Sequence, residues 1–501
     1  MTTDEPFRKY TDEKTFSRIV NYETVTRMWK NCLEQYGDMN AVCYDGRHYT
    51  FRELEEDAAD FRGALNDNGV QKGDRLGLLC SNSYDFVKAL IAILTNGNSA
   101  VILPAHIDGT TVFGCSIKLE MKTIVVQDEL EEKTDLATSK GVEIIRTSAK
   151  SNRPSDMCET RPDDECLLMF TGGTTGKSKA SVLSNEAVMQ GTTNGCYCIR
   201  NVFNQKYMLV IPLSHVFGLI RNLMTSLYTG SELFICRNNK DMFRDMASFR
   251  PTILVAVPAL VELGLKLSKQ LKKNMFGPDL KCIISGAATV SPYLISECSK
   301  IGISLYPGYG LTESANLVSG NPENISHPES VGYLFPNQEY RIVEGELWLK
   351  GKNMLTEYAG EPEENRLSFE DGWFKTGDLA HIDENGFLYI TGRLKETIRL
   401  PTGESISPSE LESKFNELSF IQDSQVFEDV DESSNHFLAL EVYPRQNELE
   451  KISYEDKNAY LMEELEKINS SLPSFQRVSK ITIRTTDFER SPSMKMKRYD
   501  R

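Results

Sequence analysis

A chain of 501 residues, 40% of them hydrophobic, is long enough for one large domain and a smaller one with a sizeable core, which excludes wholesale disorder. Its 56 Lys+Arg against 72 Asp+Glu leave a net charge of −16, which argues against non-specific attraction to nucleic acid or to an anionic membrane surface. Eleven cysteines are too sparse for a disulfide scaffold, and the near pairs Cys196/Cys198 and Cys158/Cys166 lack zinc-ligand spacing, so the thiols read as reduced in a cytoplasmic protein.

Met1 to Tyr10 is charged and polar with no apolar run after it, so it cannot serve as a secretory signal. The most apolar stretches, Phe86 to Ile102 and Met208 to Leu227, are broken by Lys88, Asn96 and Asn98 and by His215, Arg221 and Asn222, and no integral membrane segment is expected. From about residue 80 the pattern alternates. A helix over Asp85–Leu94 is followed by strands over Thr123–Val126, Val142–Ile145, Leu167–Phe170, Met208–Ile211, Glu232–Ile235, Thr252–Val257, Lys281–Ile284 and Ile303–Tyr306, mostly with helix-length spacers. That alternation predicts an α/β fold of βα units around mainly parallel sheets. Beyond Pro336 hairpin-like pieces take over, Tyr340–Val343 and Glu346–Lys350, with turns at Glu344-Gly345 and Asp371-Gly372. After Gly392 the order is strand (Thr397–Leu400), turn, helix opened by Ser407-Pro408, two strands, helix, strand. Leu461, Leu465, Ile468 and Leu472 form one helical stripe, which reads as a separate α+β domain.

The segment LLMFTGGTTGKSKAS sets Thr171, Gly172, Gly173, Thr174, Thr175 and Gly176 directly after an apolar run. Glycines allow backbone N–H groups to turn inward, threonine hydroxyls add donors, and Lys177 and Lys179 add charge, so the loop can surround a phosphate chain. It misses the Walker A spacing, since Thr171 stands where the first glycine belongs and Gly172 is one residue too close. A flexible surface loop is the other reading.

The same string is similar to the phosphate-binding loop of the adenylate-forming superfamily, which includes acyl-CoA synthetases, firefly luciferase and the adenylation domains of peptide synthetases. Ser178 and Ala180 depart from its usual proline and last glycine. Further motifs follow in that superfamily's order. PLSHVFG resembles the segment whose aromatic or histidine residue gates the acyl pocket, which puts His215 at the gate; read alone, His215 is a core or helix-capping histidine. ISGAATVSP resembles the turn against the adenine ring, where Gly286, Ala287 and Ala288 are small enough for close approach. YPGYGLTES carries the motif as Tyr309, Gly310, Leu311, Thr312 and Glu313: a face for adenine, a hydroxyl for the α-phosphate and a carboxylate ligand for Mg²⁺. DGWFKTGDLAHIDENGFLYITGRLKE supplies Asp378 and Arg393 for the ribose hydroxyls. Lys395 matches the hinge residue, and Lys495 in SPSMKMKR matches the lysine that reaches the active site during adenylation, with Met494 in place of the family's glycine.

The resemblance covers roughly residues 20 to 500 and is closest in style to fatty acid CoA ligases, on Met494 and the LPTGESISP turn. It implies a large N-terminal AMP-binding domain over 1–393, with mixed β-sheets sandwiched by helices and a β-rich subdomain, followed by a small mobile α+β domain over 394–501. It implies the substrates ATP and coenzyme A with Mg²⁺ as cofactor. A carboxylic acid, fatty acyl or aryl, would be activated as acyl-AMP with release of pyrophosphate and then passed to coenzyme A. The alternative is loading of an acyl or amino acid onto a separate carrier protein. No aspartate lies between Leu213 and Tyr228, which disfavours an α-amino acid. Phe217, Leu219, Leu223 and Met224 are candidates to line an apolar pocket. Arg221 could meet a second substrate carboxylate, but the sequence reads more simply as an arginine paired with a surface acid. A P-loop kinase, a non-catalytic nucleotide binder and a luciferase-like oxygenase are the rival classes.

Overall fold

The computed structural model describes residues 2–171, 178–399, 405–430 and 436–490, with 496 and 498, residue 405 by its backbone alone. Two large mixed sheets carry the N-terminal part. The nine-stranded sheet runs in the order Tyr333–Leu334, Asn316–Gly320, Ser304–Leu311, Cys282–Ser285, Ile253–Ala256, Lys206–Leu209, Glu232–Ile235, Asn40–Tyr44 and Arg47–Thr50. From Ser304–Leu311 to Asn40–Tyr44 its neighbours are parallel, whereas Asn316–Gly320 turns back antiparallel. The seven-stranded sheet orders Glu357–Tyr358, Ala180–Ser184, Glu165–Phe170, Ser99–Leu103, Arg75–Leu79, Thr123–Val126 and Glu143–Arg146. Strands such as Ile253–Ala256 and Thr123–Val126 are buried at every position, which is why they read as short continuous apolar runs. Between the sheets lies the helix Tyr84–Thr95. It starts where the Ser83 side chain accepts from the Phe86 N–H, and it is apolar nearly all round, as a fully buried helix must be.

The β-rich piece follows. Gln338–Val343 and Glu346–Gly351 pair around Glu344 (φ 50°) and Gly345 (φ 84°), and Asp371 (φ 50°) with Gly372 (φ 77°) turns the chain into Trp373–Ile382. Two successive left-handed residues match the twist of the flanking strands, which is the reason these dipeptides mark hairpins. The smaller C-terminal part has a three-stranded sheet, Ile421–Val430, His436–Pro444 and Lys480–Ile483, covered by the helices Pro408–Asn416 and Lys457–Ser471. It has its own apolar cluster, in which Leu461, Leu465 and Leu472 are buried and Ile468 packs alongside, the stripe expected from their spacing. Ser407 precedes a helix as expected but does not cap it: its hydroxyl donates to the Thr391 carbonyl at 2.6 Å and ties the helix back to the preceding part.

The two parts also meet through charge. Arg445, 4% exposed, donates from Nε to Glu262 at 2.7 Å and lies 4.1 Å over the Tyr293 ring. Glu448 accepts from Lys269 at 3.1 Å and from the Tyr293 hydroxyl at 3.0 Å. Among the described residues no helix is long and apolar enough to cross a membrane.

Candidate functional site

The glycine-rich loop joins two antiparallel strands. Glu165–Phe170 leads in, Ala180–Ser184 returns, and the next helix begins only at Asn185. Thr171 N–H donates to the Lys179 carbonyl at 2.8 Å, and the Ser178 hydroxyl to the Thr171 carbonyl at 2.8 Å, which closes the neck of the hairpin. A Walker A loop runs from a strand straight into a helix whose N-terminus faces the phosphates, so this connection is of a different kind. Gly172, Gly173, Thr174, Thr175, Gly176 and Lys177 lie outside the described residues. Lys179 is held by Glu364 and sits 4.9 Å over the Tyr358 ring; its hydrogen bond lowers the Glu364 pKa.

Tyr309 and Gly310 end the strand Ser304–Leu311, and Thr312 and Glu313 form the 3₁₀ turn that follows. Gly310 is required there, because a Cβ would stand 2.2 Å from the Asn316 carbonyl oxygen and 2.5 Å from Leu317 Cα on the returning strand. The Tyr309 hydroxyl donates to Asp378 Oδ2 at 2.6 Å. Asp378, 2% exposed, faces Arg393 across the pair of strands Trp373–Ile382 and Leu388–Arg393, and Arg393 Nε donates to its Oδ1 at 2.8 Å. Burial pushes the Asp378 pKa up, against the pull of Arg393 and Tyr309. The structure thus brings Tyr309, Asp378 and Arg393 into direct contact, although 84 residues separate the first from the last.

Glu313 is reached from the other sheet. The Tyr358 hydroxyl, on the edge strand Glu357–Tyr358, donates to Glu313 Oε1 at 2.8 Å, and Leu355 N–H donates to the Glu313 carbonyl at 2.7 Å. Burial raises the Glu313 pKa and the tyrosine lowers it; Arg393 is near enough to lower it further. Tyr358 and Glu364 are functional-site neighbours that sequence reasoning missed, and no motif marks either of them. Glu313 offers one carboxylate whose hydrogen-bonded partner among the described side chains is a neutral hydroxyl, a hard oxygen ligand of the kind a divalent cation held mainly by substrate phosphates takes.

Gly286 closes the strand Cys282–Ser285, where a Cβ would stand 3.0 Å from the Gly308 carbonyl oxygen and 3.5 Å from Phe217 Cζ. Ala287 has φ 65°, a left-handed conformation uncommon outside glycine, and Ala288 is exposed. His215 lies at the start of a π-helical run, Phe217–Met224, and its Nδ1 accepts from Phe217 N–H at 3.2 Å, a helix-start position. Arg221 corrects its sequence reading: it is 2% exposed, so no surface acid can reach it, and its Nη1 has no hydrogen-bond partner. Lys395, exposed in the turn Leu394–Glu396, is close enough to help lower the Glu364 pKa. Lys495 lies outside the described residues. Near it in sequence, Arg490 is bonded to Asp423, and Arg498 to Glu396 at 3.0 Å and Glu412 at 2.7 Å.

Comparison with known proteins gives one family, described as AMP-binding enzyme, matching residues 29–359. Among relatives, an oxalate–CoA ligase of Arabidopsis thaliana is 26% identical over 481 residues, covering 88% of this chain and 92% of that protein. A long-chain-fatty-acid–CoA ligase of Escherichia coli is 27% identical over 458 residues, covering 78% and 80%. The crystal structure of an anthranilate CoA ligase in complex with anthranoyl-AMP superposes with a TM-score of 0.82 at 19% identity over 96% of each chain, a shared fold of large N-terminal and smaller C-terminal parts.

Proposed function

This chain belongs to the AMP-binding enzyme family, and from that premise we propose that it is an ATP-dependent acid–thiol ligase. The carboxylate of the acid attacks the α-phosphorus of ATP, the bond to the β-phosphate oxygen breaks and pyrophosphate leaves. The thiol of coenzyme A then attacks the acyl carbon, its proton is lost to solvent, and AMP leaves. The first step joins two anions, so placement and charge neutralisation are what the protein must supply.

One observation carries this reading: Tyr309, Asp378, Arg393 and Glu313 from the nine-stranded sheet and the β-rich piece meet Tyr358 and the neck of the glycine-rich hairpin from the seven-stranded sheet. Asp378 offers acceptor lone pairs for the ribose hydroxyls, Arg393 fixes that carboxylate, and the Tyr309 ring and Gly286–Ala288 flank adenine. Thr312 and residues 171–176 would donate to phosphate oxygens. Glu313 would hold Mg²⁺, which when bound offsets phosphate charge. Lys495 is assigned to the α-phosphate and the incoming carboxylate. Residues 1–393 would bind ATP and acid, and 394–501 would turn about Lys395 between the two half-reactions. His215 would stand at the mouth of the acyl pocket.

All eleven cysteines are free, which supports a cytoplasmic location. Relatives named for acids as unlike as oxalate and long-chain fatty acids leave the acid open, and Phe217, Leu219, Leu223 and Met224 are the candidates to line its pocket. The test is pyrophosphate release from ATP across fatty, aryl, dicarboxylic and amino acids, with and without coenzyme A. The expected products are AMP, pyrophosphate and a thioester. ADP as product, or release that no acid stimulates, refutes the reading.

A further inference from the structure

Three arginines of the described residues are buried, and two of them are fully provided for. Arg62, 1% exposed, donates to Ser155 O at 2.8 Å, Thr95 Oγ1 at 2.9 Å and Glu55 at 2.5 Å. Arg445 has Glu262 and two backbone carbonyls. Arg221 differs. It forms no ion pair with a described residue, its Nη1 is without a hydrogen-bond partner, and its charge is felt by Tyr207 and by the thiols of Cys196, Cys198 and Cys282. The Tyr207 hydroxyl is buried beside the guanidinium and has no other hydrogen-bond partner among the described residues. A buried guanidinium with an unpartnered Nη1 is unfavourable unless a further acceptor completes the site, and an anion supplies both the acceptor and the counter-charge.

Its position says which anion. Alternate residues of Cys282–Ser285 and the following Gly286 face one side of the sheet, so Cys282, Ile284 and Gly286 share a face, and Tyr207 joins Cys282 on that face through the intervening Ile253. Phe217 meets this face at Gly286 and Arg221 meets it near Cys282 and Tyr207. Four residues apart in a π-helical run, whose hydrogen bonds span five residues, the two side chains lie near the same side within one turn of each other. Arg221 therefore sits one turn below the mouth that His215 and Gly286 mark.

We propose that Arg221 is the recognition residue for a second carboxylate, so that the acid activated by this chain is a short dicarboxylic acid; this rests on the acid-activating reading above. One carboxylate stands at the mouth for the chemistry. The other is taken by the guanidinium fork, with the Tyr207 hydroxyl as a further donor.

The experiment compares succinate, glutarate and adipate with butyrate, valerate and hexanoate in pyrophosphate release and in thermal stabilisation of the full chain. The wild-type chain is expected to prefer each dicarboxylate over its matched monocarboxylate by about 10²-fold or more in kcat/KM, because the monocarboxylate leaves the guanidinium buried and unpaired. Arg221→Met should abolish that preference and the dicarboxylate-dependent rise in Tm while retaining or gaining activity on monocarboxylates, and Arg221→Lys should keep part of the preference. Should Arg221→Met fail to fold, the wild-type preference and Arg221→Lys still decide. Preference for monocarboxylates, or a dicarboxylate preference that Arg221→Met leaves intact, overturns the proposal. If no acid releases pyrophosphate, the ligase reading falls, whereas a dicarboxylate-specific rise in Tm that Arg221→Met removes still supports the subsite, and its absence refutes it.

Discussion

Glu262→Gln tests whether the contact between the large and small parts sets the balance of the two half-reactions. The change touches nothing at Asp378 or Glu313. It keeps an acceptor for Arg445 Nε at the 2.7 Å position but removes the charge opposite a guanidinium only 4% exposed, with Glu262 itself 22% exposed. A hydrogen bond between charged groups contributes about 1.5–3 kcal/mol, and the neutral amide keeps part of it, so the docked arrangement should weaken by about 1–2 kcal/mol. That corresponds to about a 5- to 30-fold shift from docked to undocked. Hydrogen exchange should accelerate in the segments Pro258–Leu271 and Gln446–Leu449, which face each other there. Adenylation, followed by pyrophosphate release, and thioester formation from supplied acyl-AMP should then part company: the half-reaction run in this docked arrangement falls by up to that factor while the other holds. Parallel change in both rates, or unchanged exchange, refutes the reasoning. Glu448 gives the same contact a pH signature. Burial opposes its charge, but hydrogen bonds from Lys451, Lys269 and Tyr293 hold its pKa at about 2, below the ordinary 4.5. A depressed carboxyl stabilises fully above its unfolded pKa and loses that contribution as pH falls through the folded one. Docking is therefore expected to be constant above about pH 5 and to weaken progressively between pH 4.5 and about 2, a dependence that Glu448→Gln flattens.

Three further outcomes are expected. Tyr309→Phe keeps the ring and removes the 2.6 Å donor to Asp378, so KM for ATP should rise by about tenfold with a smaller change in kcat; an unchanged KM separates that carboxylate from the nucleotide. Gly310→Ala puts a Cβ 2.2 Å from the Asn316 carbonyl, and since backbone cannot yield cheaply, the chain should lose about 3 kcal/mol or more in denaturant unfolding; a loss below about 0.5 kcal/mol contradicts the packing. Lys495→Ala should slow adenylation by about 10² to 10³-fold while sparing thioester formation from supplied acyl-AMP, and equal losses in both half-reactions contradict its assignment to the first.

The parts legible in the sequence are those that local chemistry fixes. Glu344-Gly345 and Asp371-Gly372 announce hairpins because both positions must be left-handed, and Thr123–Val126 announces a buried strand because neither face meets water. Tyr309, Glu313, Asp378 and Arg393 each stand in a linear motif, but Tyr358 and Glu364, which meet them or their neighbours, do not. Tyr358 lies 45 residues after Glu313 in a strand of only two residues, and Glu364 meets Lys179 from far along the chain. Periodicity carries no information on such pairings. Arg221 was misread for a related reason. A charged residue in an apolar run looks like the solvent-facing position of a helix, and only tertiary packing shows that Phe217–Met224 is buried on every side.

These pairings also bear on how the proposed chemistry is divided between fixed and delivered groups. Near the site, Arg393 is bonded to Asp378 and Lys179 to Glu364, so two of its fixed cations already have their counter-ions. A nucleotide triphosphate brought there meets donors and a carboxylate before it meets unpaired positive charge. On the proposed assignments, charge compensation would arrive with the substrate, as a divalent cation on Glu313, or after it, on Lys495. A lysine fixed permanently beside Glu313 would pair with that carboxylate and remove the cation ligand. A lysine on a separate part that meets the larger one through Arg445 and Glu448 would avoid this, and under the proposed function would link the neutralisation of phosphate charge to a movement of the chain.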